Sequence, residues 1–460
     1  MAVKKVPIVA IVGRANVGKS SLFNAVLNRR EAIVAREAGT TRDAISAKTE
    51  WAGKQFWLVD TAGYKDPEDE FEATIQDQMV EAADSADIIW VVIEADVPIT
   101  DGDRHIATLA LKSKKPVMLV VNKADKAKGA AAEDYQKLGI KPILLTSATQ
   151  KRGIDELLDT VAANIPKVST KEASDRLHLA LLGRPNVGKS QLFNTLAKKQ
   201  QAIVADRAGT TRDINRATIK FEGKEIALMD TAGIRRSGKI EVGVERFSVL
   251  RALSAIEQAD VCLLLIDANE PSVALDQKIA GMIKEAGKGL VLVVSKWDSV
   301  EKDGFTRDEL APQIASNFVF VPWAPLIFTS SVTGQNVTKI YELALQIGEE
   351  RKKQIATKEL NRWLQRVVHE HPPAGLKNRQ PKLNYMVQET DNPTPSFKVY
   401  GANWRFLHWS YKRYMDREFR EQFGFAGTPV QFWFFDKHIP HKHGDKSQVT
   451  RNKNQENLDT

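Results

Sequence analysis

Three motifs recur in this chain at one displacement, and that repetition limits what it can fold into more than any other feature. Gly13-Arg14-Ala15-Asn16-Val17-Gly18-Lys19-Ser20 returns as Gly183-Arg184-Pro185-Asn186-Val187-Gly188-Lys189-Ser190, 170 residues later. Ala38-Gly39-Thr40-Thr41-Arg42-Asp43 returns as Ala208-Gly209-Thr210-Thr211-Arg212-Asp213, and Asp60-Thr61-Ala62-Gly63 as Asp230-Thr231-Ala232-Gly233, again 170 apart. A period this long is a whole domain present twice, unlike the roughly 20–50-residue periods of solenoids. Within the first copy, apolar runs at Ile8 to Val12, Gln55 to Val59, Ile88 to Ile93, Val117 to Val121 and Ile143 to Leu145 alternate with helical patterns. Runs without polar alternation predict strands of a mostly parallel sheet with helices on both faces, and ligands at the carboxyl ends of its strands. The motifs fall at those ends.

The expected organisation is a first domain over 1–166, a linker over 167–176 and a second domain over 177–350, then a third module over 351–440 and a polar tail over 441–460 expected to be disordered. The charge divides unevenly along that order. Residues 351–460 hold 20 Lys/Arg against 11 Asp/Glu, whereas residues 1–350 hold 46 against 47. A basic module on a nearly neutral body suits a phosphate-backbone partner, with a merely solvated basic face as the alternative. The single cysteine, Cys262, lies in an apolar run and reads as a buried thiol, which fits a reducing cytoplasm. Lys4-Lys5 ahead of Val6 to Val12 imitates a signal peptide, but the run feeds directly into the Gly13 loop and is read as the first strand. No stretch reaches the ~18 apolar residues of a membrane span.

Gly-x-x-x-x-Gly-Lys-Ser between a strand and a helix predicts a phosphate-binding loop. Gly13, Gly18, Gly183 and Gly188 let backbone N–H groups wrap phosphates at a positive helix end. Lys19 and Lys189 neutralise the β/γ oxygens, and Ser20 and Ser190 ligate Mg²⁺. Asp60 and Asp230 end apolar strands where a carboxylate can hold that metal, and Gly63 and Gly233 offer an N–H to the γ-phosphate. Thr40 or Thr41, and Thr210 or Thr211, can complete the metal shell in segments that close over nucleotide; the sequence leaves open which of each pair does so.

Base choice rests on Asn122-Lys123-Ala124-Asp125. An aspartate accepts two hydrogen bonds from guanine that adenine cannot offer, the asparagine ties the base to the loop, and the lysine stem packs on the purine. Ser147 and Ala148, in Thr146-Ser147-Ala148, can give a backbone N–H to the guanine oxygen. The second copy reads Ser295-Lys296-Trp297-Asp298 and Thr329-Ser330-Ser331. Asp298 keeps guanine selection, while Ser295 cannot make both contacts of an amide, so weaker affinity is expected, and a structural domain without nucleotide is the alternative. Tyr64 and Ile234 follow the Asp-Thr-Ala-Gly motifs where many GTPases place a water-orienting glutamine, which predicts slow intrinsic hydrolysis assisted by a cation or a partner.

These tandem motif sets resemble the Der (EngA, double Era-like) GTPases of bacterial ribosome assembly. Ser410-Tyr411-Lys412-Arg413-Tyr414 through Phe423 to Val430 is similar to that family's KH-like domain, so the resemblance spans nearly residues 1–440. It implies two tandem P-loop GTPase domains plus a C-terminal α+β KH-like domain, GTP/GDP as nucleotide, Mg²⁺-dependent hydrolysis, and stimulation by K⁺ through Asn16 and Asn186. The implied partners are the large ribosomal subunit and its rRNA, with other assembly factors, for a monomeric cytoplasmic protein. Ala15 in place of proline, Ser295 in place of asparagine, and Ser331-Val332 depart from the family's pattern. A tRNA-modifying GTPase partner, a membrane-associated GTPase and a purely structural RNA-binding scaffold are the competing readings; no catalytic cysteine module, no membrane anchor and two intact lysine–serine–aspartate sets argue against them in turn.

In the basic module, helices are expected over Glu359 to His369 and Trp404 to Phe423, and strands over Leu383 to Gln388, Ser396 to Tyr400 and Val430 to Phe435. Arg405, Lys412, Arg413, Arg417 and Arg420 are expected along one helix facing RNA phosphates. Most of Trp404, Phe406, Trp409, Tyr411, Tyr414, Phe419 and Phe423 are expected in the core. Gly424-Phe425-Ala426-Gly427 matches a KH Gly-x-x-Gly in letters but precedes a strand, so it reads as a turn. His438, His441 and His443 lack the cysteines a metal site would add.

Overall fold

The computed structural model describes residues 6–29, 46–61, 75–127, 129, 131–165, 176–199, 215–230, 249–271, 273–301, 306–374 and 379–436. Thr40, Thr41, Gly63, Thr210, Thr211 and Gly233 lie outside the described residues, as do Tyr64, Ile234, the expected linker up to residue 175, the three tail histidines and the tail. Among the described residues no helix is long and apolar enough to cross a membrane.

The first repeat runs β1 (Ile8–Val12), α1 (Lys19–Leu27), β2 (Ser46–Trp51), β3 (Lys54–Asp60), α2 (Ile75–Ser85), β4 (Ile88–Glu94), α3 (Asp101–Lys112), β5 (Val117–Asn122), a 3₁₀ turn, β6 (Ile143–Leu145) and α4 (Ile154–Asn164). The second runs β7 (Leu177–Leu182), α5 (Lys189–Lys199), β8 (Asn215–Phe221), β9 (Lys224–Asp230), α6 (Val249–Gln258), β10 (Val261–Asp267), α7 (Ala274–Glu285), β11 (Gly289–Ser295), α8 (Thr306–Asn317), β12 (Leu326–Phe328) and α9 (Lys339–Lys352). Their sheets are ordered β2-β3-β1-β4-β5-β6 and β12-β11-β10-β7-β9-β8, mirror listings of one topology. All pairings are parallel except β2 with β3 and β8 with β9.

Every residue of β1 is buried, as a central parallel strand covered on both faces requires. Val9 and Ile11 face α1 and α4, while Ile8, Ala10 and Val12 face the other way, into an apolar cluster that continues from the first domain into the second through Trp57, Met79, Leu250 and Leu253. The sequence reading missed β2, because its burial alternates with period two and it contains no apolar run. Cys262 is fully buried in β10, which pushes its thiol up to about 12.

At the junction of the two repeats the Trp57 indole donates to Glu257 Oε1 at 2.7 Å, and the Val6 N–H donates to Glu257 Oε2 at 3.1 Å. Arg251 on α6 pairs with Glu81 on α2 at 3.2 Å. Lys48 is drawn below its ordinary value by burial, an effect that Glu257 partly opposes.

The rest of the chain supplies α10 (Thr357–Glu370), β13 (Lys382–Glu389), β14 (Ser396–Ala402), α11 (Trp409–Phe423) and β15 (Gln431–Asp436), with sheet order β13-β14-β15. The chain divides into two compact units: residues 354–390, 396–422 and 431 onward form one, whereas segments 391–395 and 423–430 belong with the GTPase repeats. In the smaller unit Phe397 and Phe419 are buried and meet edge to face with ring centroids 4.7 Å apart, and Trp363 meets Phe419 the same way at 5.0 Å.

Two expectations for this module need correction. α11 begins at Trp409, because Asn403 turns left-handed (φ 59), Leu407 is extended, and His408 Nδ1 receives the Ser410 N–H at 3.3 Å; Arg405 therefore sits in a separate 3₁₀ turn and off the helix. Of the seven aromatics expected in the core, only Tyr411 and Phe419 are buried, and Trp409 is 53% exposed. Arg420 is also withdrawn: its guanidinium is bound by Asp416 at 3.1 Å, and burial lowers its pKa. Gly424 to Gly427 is a turn, as expected. The Gly427 N–H donates to Trp323 O at 2.8 Å, its carbonyl accepts from Leu290, and an added Cβ would stand 2.2 Å from Ile347.

Candidate nucleotide-binding sites

Each phosphate loop is shaped by positions that tolerate no ordinary side chain. A Cβ on Gly13 would meet Val92 O at 2.4 Å, and Gly18 (φ 92) is left-handed at the start of α1. Gly183 (φ 147) and Gly188 (φ 97) repeat this ahead of α5, and Asn16 and Asn186 adopt φ 66 and 60 within the loops. Both helices thus present N-terminal N–H groups into a concave loop, the arrangement that holds anions.

Lys19 is 5% exposed, and its ammonium donates to Gly13 O at 2.7 Å and Arg14 O at 2.6 Å. Lys189 makes the same pair of contacts at 3.1 and 2.8 Å. At the carboxyl ends of β3 and β9, the Ser20 hydroxyl donates to Asp60 Oδ2, and Ser190 to Asp230 Oδ2 at 3.3 Å. A hydroxyl and a buried carboxylate in contact at a strand end form a hard oxygen donor set that fits Mg²⁺.

The base-side residues gather at the ends of β5 and β6. Asn122 Nδ2 donates to Val17 O at 3.0 Å, while its Oδ1 accepts the Ala148 N–H at 3.2 Å and the Thr146 hydroxyl at 3.4 Å. One side chain therefore ties phosphate loop, strand and base turn together, and the Ala148 amide points to Asn122. Lys123 (φ 61) donates to Asn16 O at 2.9 Å and pairs with Glu94. The Asp125 carboxyl is held below its ordinary value chiefly by the Ser147 hydroxyl, and its Oδ1 is buried with no hydrogen-bond partner in the protein. That orphaned acceptor is what a guanine N–H would satisfy.

The second site keeps this plan with two departures. The one Ser295 hydroxyl proton lies between Val187 O at 2.8 Å and Ile266 O at 3.1 Å, which retains the tie to the phosphate loop and drops the tie to the base turn. The space shows the loss: a Cβ on Gly18 would strike Asn122 at 2.3 Å, whereas one on Gly188 meets nothing within 4 Å. Lys296 (φ 56) pairs with Asp267 at 2.7 Å, as Lys123 does with Glu94. Asp298 is exposed, while Ser330 Oγ accepts the Thr333 N–H at 3.0 Å and Ser331 O accepts the Thr195 hydroxyl at 3.2 Å.

The other departure concerns residues the sequence reading did not single out. In the first domain, Thr100 and Asp103 cap α3 reciprocally, and Arg14 reaches Asp103 at 2.8 Å. In the second domain Val273 stands at the cap position and offers no oxygen. Asp276, the counterpart of Asp103, is fully buried; neither carboxylate oxygen accepts a hydrogen bond, and Arg184 Nε stands 3.5 Å from Oδ2 as its ionic partner. Burial raises its pKa to about 7, with Asp267 and Glu270 adding to the shift and Arg184 and Lys189 opposing it. The matched spacing of Arg14–Asp103 and Arg184–Asp276 was the available signal, concealed by a slip of the repeat from 170 to 173 residues after Asp230.

Two phosphate loops, two serine–aspartate pairs and two guanine-type loops on one sheet topology define a tandem P-loop GTPase. A family of 50S ribosome-binding GTPases matches residues 8–123 and 178–296, and the KH-domain-like family of EngA bacterial GTPase enzymes, C-terminal, matches residues 354–434. GTPase Der of Herpetosiphon aurantiacus is 41% identical over 92% of this chain and 95% of its own length. GTPase Der of Caldanaerobacter subterraneus subsp. tengcongensis is 42% identical over 92% and 97%. The solved G domain of the T. maritima FeoB iron transporter is 25% identical over 35% of this chain and 98% of its own, with a TM-score of 0.27. The chain belongs to the GTPase Der family: it binds guanine nucleotide, hydrolyses GTP, and carries two GTPase domains and a KH-like domain.

Proposed function

We propose that the chain is a two-site GTP switch acting in the cytoplasm, as a monomer, in maturation of the large ribosomal subunit, where nucleotide state controls its hold on rRNA. The domain partition is that read from the sequence: 1–166, 177–350 and 351–440. The observation that carries this reading is the retention, in both domains, of a lysine held by the phosphate loop and a serine hydrogen-bonded to the strand-end aspartate, joined to a positive excess confined to the last quarter of the chain. Membership in families of 50S ribosome-binding GTPases and of EngA KH-domain-like modules supports the choice of partner.

In each site the loop N–H groups and lysine would bind the phosphates, and the aspartate of the base loop would orient guanine. Ser20 with Asp60, and Ser190 with Asp230, would hold Mg²⁺, completed by one threonine of Thr40/Thr41 and of Thr210/Thr211. The metal, when bound, draws off charge developing on the transferred phosphoryl group. Asn16 and Asn186, left-handed at the loop crest, are assigned to K⁺. Gly63 and Gly233 are assigned to the γ-phosphate.

The test compares wild type, Lys19→Ala and Lys189→Ala for GTP turnover in potassium and in sodium, with and without large subunits. Loss of a separate potassium-dependent component in each variant, together with nucleotide-dependent subunit binding, supports two switches. Ser295 favours a second reading, an RNA-binding scaffold whose second domain is structural; unchanged turnover and nucleotide binding in Lys189→Ala would establish it.

A further inference from the structure

The outer face of the C-terminal sheet carries chemistry that neither the GTPase sites nor the basic helix uses. The sheet buries Phe397 and Val399 beneath the helices and, with the alternation of strands, turns the intervening residues outward. The register then sets Tyr385, Tyr400 and Phe435 side by side across β13, β14 and β15. Tyr385 and Tyr400 have ring centroids 6.2 Å apart, and Tyr400 and Phe435 lie 5.6 Å apart and nearly parallel.

In the next row Lys398 stands between Val387 and Trp433, and at the far end of the strands Lys382 pairs with Ala402. Trp433 and Phe435 each keep 41% of their surface exposed. A solvated sheet face ordinarily alternates to polar residues, so a row of three rings with a fourth beside it needs an occupant.

Charge decides which occupant. Residues 351–460 carry 20 Lys/Arg against 11 Asp/Glu, and the register sets Lys398 in the row on one side of the aromatic row and Lys382 in the row on the other. Glu389, the acid that the register places on this face, is neutralised by Lys398 at 2.9 Å. A flat aromatic surface in a positive setting suits unpaired bases with phosphates alongside; a duplex hides its base faces and cannot use the rings. We infer that the outer face of the β13-β14-β15 sheet is a stacking platform for single-stranded RNA, with Tyr385, Tyr400, Phe435 and Trp433 receiving bases and Lys382 meeting phosphate. The platform rests on the proposed RNA binding of this module and lies on a different surface from the cationic side chains of α11.

The test titrates the full chain with a fluorescent oligouridine of roughly ten nucleotides, a length within the usual site range, and with an RNA duplex of equal length. Tyr400→Leu and Phe435→Leu keep apolar bulk and remove the ring. Each is expected to weaken oligouridine binding about tenfold, with the salt slope and duplex binding unchanged, whereas Lys412→Gln with Arg413→Gln lowers the salt slope. Photocrosslinking of wild type to oligouridine is expected at Tyr385, Tyr400, Trp433 or Phe435, a readout that needs no variant to fold. Unchanged affinity in both leucine variants, or crosslinks confined to α11, overturns the platform and leaves RNA binding standing. A wild-type chain that binds no RNA overturns both.

Discussion

Replacing Ser295 by asparagine is expected to tighten guanine-nucleotide binding at the second site. In the first site Asn122 Oδ1 accepts two hydrogen bonds, from Ala148 at 3.2 Å and Thr146 at 3.4 Å, that fasten the base turn to the phosphate loop. Ser295 keeps only the phosphate-loop side, through Val187 at 2.8 Å. The structure has room for the larger side chain, since the space beside Gly188 is open to 4 Å where Asn122 fills it beside Gly18. At about 0.5–1.5 kcal/mol net per bond, one good and one long contact give about 1–2 kcal/mol, or roughly 5- to 30-fold in affinity. The assay is titration with a fluorescent GDP analogue in a Lys19→Ala background, which silences the first site, with Asn122→Ser in a Lys189→Ala background as the reciprocal exchange. If Ser295→Asn binds GDP no more tightly than its parent while Asn122→Ser loses nothing, the amide tie is irrelevant to affinity and the reasoning fails.

Asp276, raised to about 7 in the folded protein, keeps its proton where the unfolded chain has lost it above pH ~4. Its contribution is therefore full in acid and is lost as pH climbs from about 4 to about 7, by a few kcal/mol at 1.36 kcal/mol per unit. Asp276→Asn should flatten that dependence in urea unfolding, and an unaltered pH profile would refute the assignment. Trp57→Phe deprives Glu257 of its indole donor in a buried setting and should lower stability by about 1–3 kcal/mol, an effect that a double-mutant cycle with Glu257→Gln should show to be shared. Gly153→Ala would place a Cβ 2.1 Å from Leu145 O at φ 70, so a loss of about 2–4 kcal/mol and weaker nucleotide binding at the first site should appear in thermal and titration assays.

The sequence made the phosphate loops, the metal-side carboxylates and the guanine loops legible because each is a local string whose backbone demands particular residues. It concealed what depends on distance along the chain. Arg14 and Asp103 are 89 residues apart, and only folding shows that the arginine of one motif braces the first turn of α3. Asn122 was read as a link between base and loop, but that it also holds Ala148 required the structure. In the C-terminal module, counting aromatics as core failed because α11 buries only one stripe, Tyr411, Met415 and Phe419 at four-residue spacing, and leaves its other rings partly or largely in solvent. The signal for the break before α11 was faint: Asn403 is one of the few residue types that tolerate a left-handed turn.

The junction between the repeats has a consequence for how the two copies can evolve. Trp57 meets Glu257, and Glu81 meets Arg251, yet these are not corresponding positions. The repeat places Ala227 where Trp57 stands, and Asp84 where Glu257 stands. The two halves are therefore lock and key, each carrying a part that the other lacks. A gene with one half copied over the other would encode two nucleotide-binding domains that lack both of these contacts.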